Sequence, residues 1–181
     1  GTCLADEPSR EAIFRAIEKA KFNNIPIILD IDYRPYTWIS SKEASDVYML
    51  AAKNCDILIG NDDEFGVLAK DYEQGKNVAK DLSKKISIVI YKKGEKGSTT
   101  FYDNHQFNKG IFPVHALKPT GAGDAFIGSF IGGLLNDKSI EESIIYGSAS
   151  AAIVVTKVGC APAMPIQSEI EEFMKLNKIN N

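Results

Sequence analysis

Apolar residues recur at helical spacing near the start of the chain and then give way to short runs that are apolar throughout. Between Glu7 and Asn23, the positions Ala12, Ile13, Ala16, Ile17 and Ala20 fall on one helical face, and Pro8 and Ser9 suit a helix start. The run from Pro26 to Ile31 is short and continuously apolar up to Asp30, the pattern of a strand buried on both faces. An amphipathic helix over 41–54 and an apolar strand over 56–60 complete a β-α-β unit. The alternation continues with a short helix after Asn61, another near 75–84, and strands over 86–91 and 98–102. Three helices are then expected, over 123–136, 139–157 and 165–177.

Alternating helices and apolar strands predict an α/β fold of three layers, α/β/α, around a mostly parallel sheet. No internal repeat, low-complexity tract or linker interrupts residues 1–181, which read as one compact piece. Gly1 to Asp6 read as the end of a strand or loop feeding a helix, so further sequence is expected upstream.

Composition narrows the function. The 181 residues are 44% hydrophobic and 25% charged, enough for a sizeable core. Twenty-one Lys and Arg against 24 Asp and Glu leave a net charge of −3, which argues against a nucleic-acid or acidic-membrane surface and for small-molecule chemistry. Cys3, Cys55 and Cys160 are odd in number and widely spaced, so neither a disulfide framework nor a zinc site is expected, and a reducing cytoplasm fits. The most apolar stretch, 125–135, is too short to span a bilayer, and no signal-peptide pattern opens the chain.

The segment richest in chemistry is Lys118-Pro-Thr-Gly-Ala-Gly-Asp-Ala-Phe126, a small-residue turn running into an apolar helix. Gly121, Ala122 and Gly123 would let backbone N–H groups face a phosphate at the positive end of the helix dipole. Asp124, in the first turn, would accept the proton of a hydroxyl poised for in-line attack. The plainer alternative is a glycine-rich helix start whose Asp only complements the dipole.

Asn61-Asp-Asp-Glu64 follows the second apolar run. Its amide and carboxylate suit Mg²⁺, which prefers oxygen ligands and keeps waters, while Asn followed three residues later by Glu is equally a capping box. Gly94 and Gly97, between two strands, form a hairpin turn. Small residues over 149–155 and at Gly159 would let a helix approach a flat ring, although helix packing explains them as well. Finally, Asp30-Ile-Asp-Tyr-Arg-Pro-Tyr-Thr-Trp38 carries charge into the loop at a strand end, where open α/β sheets bind ligands. Arg34 either pairs with Asp30 or Asp32 or binds a carboxylate or phosphate through parallel hydrogen bonds.

Thr-Gly-Ala-Gly-Asp-Ala-Phe resembles the signature of the PfkB, ribokinase-like carbohydrate kinases, and the similarity extends over essentially the whole chain. The resemblance implies ATP-dependent phosphorylation of a sugar hydroxyl, with Asp124 as catalytic base and the amides of Gly121, Ala122 and Gly123 as an anion hole. It implies that Asn61 and Glu64 organise Mg²⁺, through water, and the ATP phosphates. It also implies that Gly94, Gly97 and Gly159 border the nucleotide. The pattern around Arg34 is similar to kinases of keto-deoxy sugar acids within the family, which makes Arg34 a substrate-binding residue. Lys118 and Pro119 depart from the family's usual acidic residue and Thr; the Lys118 cation would steady ATP or an acidic substrate, or face solvent. The chain corresponds to the carboxy-terminal part of such kinases, without the amino-terminal strands and lid. On its own it is therefore expected to bind ATP weakly and turn over little. The resemblance leaves room for a monovalent cation and a homodimer. A non-catalytic nucleotide-binding module is disfavoured, because binding alone does not require Asp124.

Overall fold

The computed structural model describes residues 1–180, which group into two compact units. The first comprises residues 1–94 and 98–108; the second comprises 95–97 and the chain from 109 onward.

The first unit is an α/β sheet structure. Its elements are α1 (Ser9–Phe22), β1 (Ile28–Asp30), α2 (Ser41–Ala52), β2 (Ile57–Asn61), α3 (Asp62–Ala69), α4 (Gly75–Leu82), β3 (Ile88–Lys92), β4 (Ser98–Tyr102) and β5 (His105–Lys109). The strands lie in the order β1-β2-β3-β4-β5, with β1, β2 and β3 parallel and β4 antiparallel to β3. The first four residues of β2 are all buried although they point alternately to opposite faces, so both faces of the sheet are covered at its centre. Ala44, Tyr48, Ala51 and Ala52 recur on one stripe of α2 and pack with Leu58, Phe65 and Val89 into the main core. Ser40 caps α2, accepting the Glu43 N–H at 3.1 Å.

β1 is shorter than the apolar run that predicted it. At Ile27 an aspartate side chain replaces the ladder: the Ile27 N–H donates to Asp56 Oδ2 at 2.8 Å, while its carbonyl accepts from the N–H groups of Asp56 and Ile57. β5 was not foreseen, since its residues His-Gln-Phe-Asn-Lys hold one apolar side chain and no alternation. The available signal was the two-residue loop Asp103-Asn104, both at positive φ (47° and 59°), the conformation of a tight hairpin turn.

The second unit is helical: α5 (Ala122–Leu135), α6 (Ile140–Val155) and α7 (Gln167–Leu176). A capping box between Ser139 and Glu142 starts α6. α5 and α6 approach closely, because a Cβ on Gly147 would lie 2.7 Å from the Phe126 carbonyl oxygen and one on Gly133 would lie 2.6 Å from Ser143 Oγ. Phe112 brings the incoming segment into a core with Tyr146, Ala149 and Ile170, and Phe173 packs on it at 5.4 Å between ring centroids. Among the described residues, no helix is long and apolar enough to cross a membrane.

Candidate active site

In the second unit the approach to α5 is pinned by a single carbonyl. The N–H groups of Leu117 and Lys118 both donate to the Val155 oxygen, at 2.7 and 3.2 Å, which fixes the strand of chain leading to Pro119 against the end of α6. The backbone then turns sharply: Ala122 N–H donates to the Pro119 carbonyl at 3.2 Å, and Gly121 adopts φ 89° as the residue preceding α5. A side chain at Gly121 would be strained by that φ, and its Cβ would sit 2.8 Å from Cys160 Sγ and 3.3 Å from Val154 Cγ1. Glycine is therefore dictated twice, by conformation and by space.

Following this turn, the start of α5 offers donors without intrahelical partners. The Ala122 amide is spent on Pro119, whereas among the described residues the amides of Gly121, Gly123 and Asp124 donate to no acceptor. The Asp124 side chain is exposed and takes part in no hydrogen bond or ion pair among the described residues. No side chain caps α5, so Asp124 is not engaged in holding the helix start. It opens onto a groove shared with Gly128, Ser129, Gly132, Tyr146 and Gln167. Lys118 is exposed. Gly159, at φ 111°, leads through Cys160 into a 3-10 turn over Ala161–Ala163, and Met164 Cε comes within 3.5 Å of the position a Gly121 Cβ would occupy. The contact of Cys160 with Gly121 arises from tertiary packing and has no signal in the local pattern.

In the first unit the parallel strands end in polar residues. Asn61 closes β2 and caps α3: its Oδ1 accepts the Glu64 N–H at 2.9 Å, and Glu64 Oε2 accepts the Asn61 N–H at 2.6 Å. Both halves of the capping box are thus present. The other Glu64 oxygen accepts the Tyr33 N–H at 3.2 Å, tying the loop after β1 to the same carboxylate. Gly60 makes room for this fold-back, since a Cβ there would stand 3.2 Å from Glu64 Oε2 and 2.5 Å from Ile31 Cδ1.

Glu64 is only 5% exposed. Burial pushes its pKa above the ordinary glutamate value, opposed by the Asn61 N–H and the Lys92 charge. A carboxyl whose folded pKa is raised contributes stability that is present below the unfolded pKa and lost as pH rises through the folded one. The melting temperature of Glu64→Gln minus that of wild type is therefore expected to grow as pH is raised from about 4 to 7, starting near the unfolded glutamate pKa. A difference that stays flat or shrinks in thermal melts across that range contradicts the burial argument.

Arg34 pairs with Asp32, Nη2 to Oδ1 at 2.5 Å, and donates from Nη1 to the Tyr33 carbonyl at 3.3 Å. Of the two partners expected from sequence the structure selects Asp32, whose other oxygen accepts the Thr2 hydroxyl. Arg34 remains about half exposed and lines a pocket of 760 Å³ with Tyr33, Asn61, Glu64, Lys42 and Tyr72. Trp38 is buried against Tyr48, at 5.0 Å between ring centroids, beneath the Arg10 guanidinium. Gly94 and Gly97 both take positive φ, 55° and 74°, in the β3–β4 connection. Lys92 is the last residue of β3.

The sequence profile of the pfkB family carbohydrate kinases matches residues 1–167. The 5-dehydro-2-deoxygluconokinase of Clostridium beijerinckii is 41% identical over 184 residues, covering 98% of this chain and 54% of that protein. Its namesake from Geobacillus thermodenitrificans is 38% identical over 180 residues, covering 97% and 53%. The chain thus spans about half the length of the curated relatives it matches. Among solved structures, fructokinase from Vibrio cholerae O395 with fructose, ADP and calcium bound superposes with a TM-score of 0.86 at 26% identity, over 96% of this chain and 58% of that one. Ribokinase from Thermotoga maritima gives 0.74 at 30% identity, over 88% and 52%.

Proposed function

The chain belongs to the pfkB family of carbohydrate kinases, and from that premise we propose that it is the nucleotide-binding and catalytic portion of a cytoplasmic kinase acting on a sugar acid. The acceptor in this reading is 5-dehydro-2-deoxy-D-gluconate, phosphorylated on its 6-hydroxyl in the breakdown of inositol. The observation that carries the reading is the pairing, on one helix start, of a carboxylate the fold does not use with amides that donate to nothing else.

Asp124 accepts the proton of the acceptor hydroxyl as its oxygen attacks the γ-phosphorus of ATP. The bond to the bridging oxygen breaks on the opposite side, and ADP leaves with that electron pair. Charge on the transferring group's oxygens faces the amides of Gly121, Gly123 and Asp124 at the positive end of α5. Both Glu64 oxygens already accept backbone N–H groups, and no three His, Cys, Asp or Glu side chains cluster as metal ligands among the described residues. Asn61 and Glu64 therefore fit Mg²⁺ through intervening water, where the ion would neutralise phosphate charge. Arg34 would meet the acid group of the substrate with the donors that Asp32 leaves over.

A sister acceptor within the family, 2-keto-3-deoxygluconate, ribose or fructose, is the second reading, favoured by the likeness to the fructokinase and ribokinase folds. ADP release by the whole protein, screened across these sugar acids and neutral sugars with MgATP, separates the two. The expected outcome is the highest kcat/KM on 5-dehydro-2-deoxygluconate. A neutral sugar turned over faster than any acid moves the assignment to the second reading, and no ADP release with any sugar removes both.

A further inference from the structure

The Thr2 hydroxyl has no part in the reading above, yet it reaches the carboxylate that holds Arg34. It donates to Asp32 Oδ2, while Asp32 Oδ1 pairs with Arg34 Nη2 at 2.5 Å. Asp32 is thus held from both oxygens, by Thr2 on one side and by the guanidinium on the other. Its backbone is fixed on both flanks as well: the Ile31 N–H donates to the Ile59 carbonyl at 3.0 Å, and the Tyr33 N–H donates to Glu64 Oε1 at 3.2 Å. Between them Asp32 takes φ 42°, a conformation that persists in a residue with a side chain where the surroundings enforce it. Thr2 is itself anchored. It opens a 3-10 turn over Thr2–Leu4 whose Leu4 is buried in the main core with Ile31 and Trp38. Arg10 donates to the Leu4 and Ala5 carbonyls at 2.8 and 2.6 Å and pairs with Glu43 of α2 at 2.8 Å. A path of direct contacts therefore runs from the core through Thr2 and Asp32 to Arg34. The Arg34 side chain, 48% exposed at the end of that path, would otherwise carry large rotamer freedom. Asp32 and the Tyr33 carbonyl occupy one side of its planar fork, and the remaining N–H donors are left for a ligand.

We propose that Thr2 is a positioning residue of this kinase, which through Asp32 holds the Arg34 guanidinium ready for the carboxylate of an acid substrate. The inference rests on the reading of Arg34 as the group that meets the acid. A carboxylate fastened only to the arginine would move with it, whereas one fastened also to a turn rooted in the core keeps the fork in a single orientation. The acid then meets donors that are already ordered, and less entropy is lost when it binds. Thr2→Val keeps the shape of the side chain and removes only the donor, so the charges around Arg34 stay as they are. Thr2→Ser keeps the donor.

The test uses the whole protein with Thr2→Val, Thr2→Ser, Arg34→Met and the double variant Thr2→Val/Arg34→Met. It measures kcat, KM for MgATP, KM for the sugar acid turned over best in the screen above, and melting temperature. Thr2→Val is expected to raise KM for the acid by about three- to ten-fold, the cost of ordering one long side chain on binding, with kcat and the MgATP constant held. Thr2→Ser is expected to behave as wild type. The double variant is expected to match Arg34→Met, because a hydroxyl that acts only through Arg34 then has nothing left to act on. An acid KM within about two-fold of wild type in Thr2→Val, a change confined to kcat or to MgATP, or a double variant worse than Arg34→Met by the full Thr2→Val factor overturns the proposal. If Thr2→Val fails to fold, Thr2→Ala decides, since it also removes the donor and adds no bulk. An Arg34→Met protein with the wild-type acid KM, or a wild type that turns over no acid, sinks the acid-binding reading of Arg34 and the proposal together. An Arg34→Met protein that loses the acid beside an unaffected Thr2→Val sinks Thr2 alone.

Discussion

Replacing Asp124 by alanine is expected to lower kcat of the whole protein by ~100-fold or more while MgATP affinity stays within about two-fold of wild type. Because the side chain is exposed and engaged with nothing in the fold, its loss removes at most the helix-dipole contribution, about 0.3–1 kcal/mol. A large fall in rate then cannot be traced to unfolding, and a melting curve run beside the rate measurement verifies this. Asp124→Asn sharpens the point by keeping the shape and removing the proton acceptor. Should the alanine variant retain most of its turnover, Asp124 is not the base, and the glycine-rich helix start is only a helix start.

Gly121→Val is expected to weaken MgATP binding about ten-fold or more and to destabilise the protein by about 2–4 kcal/mol. Two independent penalties add at this position: a β-branched residue at φ 89°, and a Cβ placed 2.8 Å from Cys160 Sγ. The turn that frees the amides cannot survive both. Gly128→Ala on the same helix is the control, since a Cβ there has no heavy atom within 4 Å, and helix propensity predicts a gain of up to about 1 kcal/mol. Denaturant titration and calorimetry read the two effects separately. A Gly121→Val protein as stable as wild type and binding MgATP normally would remove the turn from the mechanism.

Much of this was legible in the sequence because the relevant physics is local. The apolar run ending at Gly60 becomes β2, buried on both faces, and the Asn-x-x-Glu spacing becomes a complete capping box. The small residues before Asp124 become a left-handed turn and a helix start. What was hidden depends on partners distant in sequence or on backbone geometry that the local pattern does not display. β5 carries too few apolar side chains to betray itself, and its pairing comes from the Asp103-Asn104 turn. Lys92 resembles one more charged turn residue beside Lys93 and Gly94 until the register sets it opposite Asn61. Arg34 had two plausible carboxylates within two and four residues, and only the left-handed backbone at Asp32, φ 42°, accompanies the choice between them. The division into two units leaves no mark in composition, because no Pro-, Gly- or Ser-rich tract separates them.

Two amides sharing the Val155 oxygen make the final turn of α6 and the residues before Pro119 a single opening unit. Neither can come loose in a local fluctuation without releasing the other, so the resistance to opening built into a buried helix extends to an exposed loop. The donors at the head of α5 are thereby aimed before any ligand arrives, and less ordering entropy is left to be lost when one does.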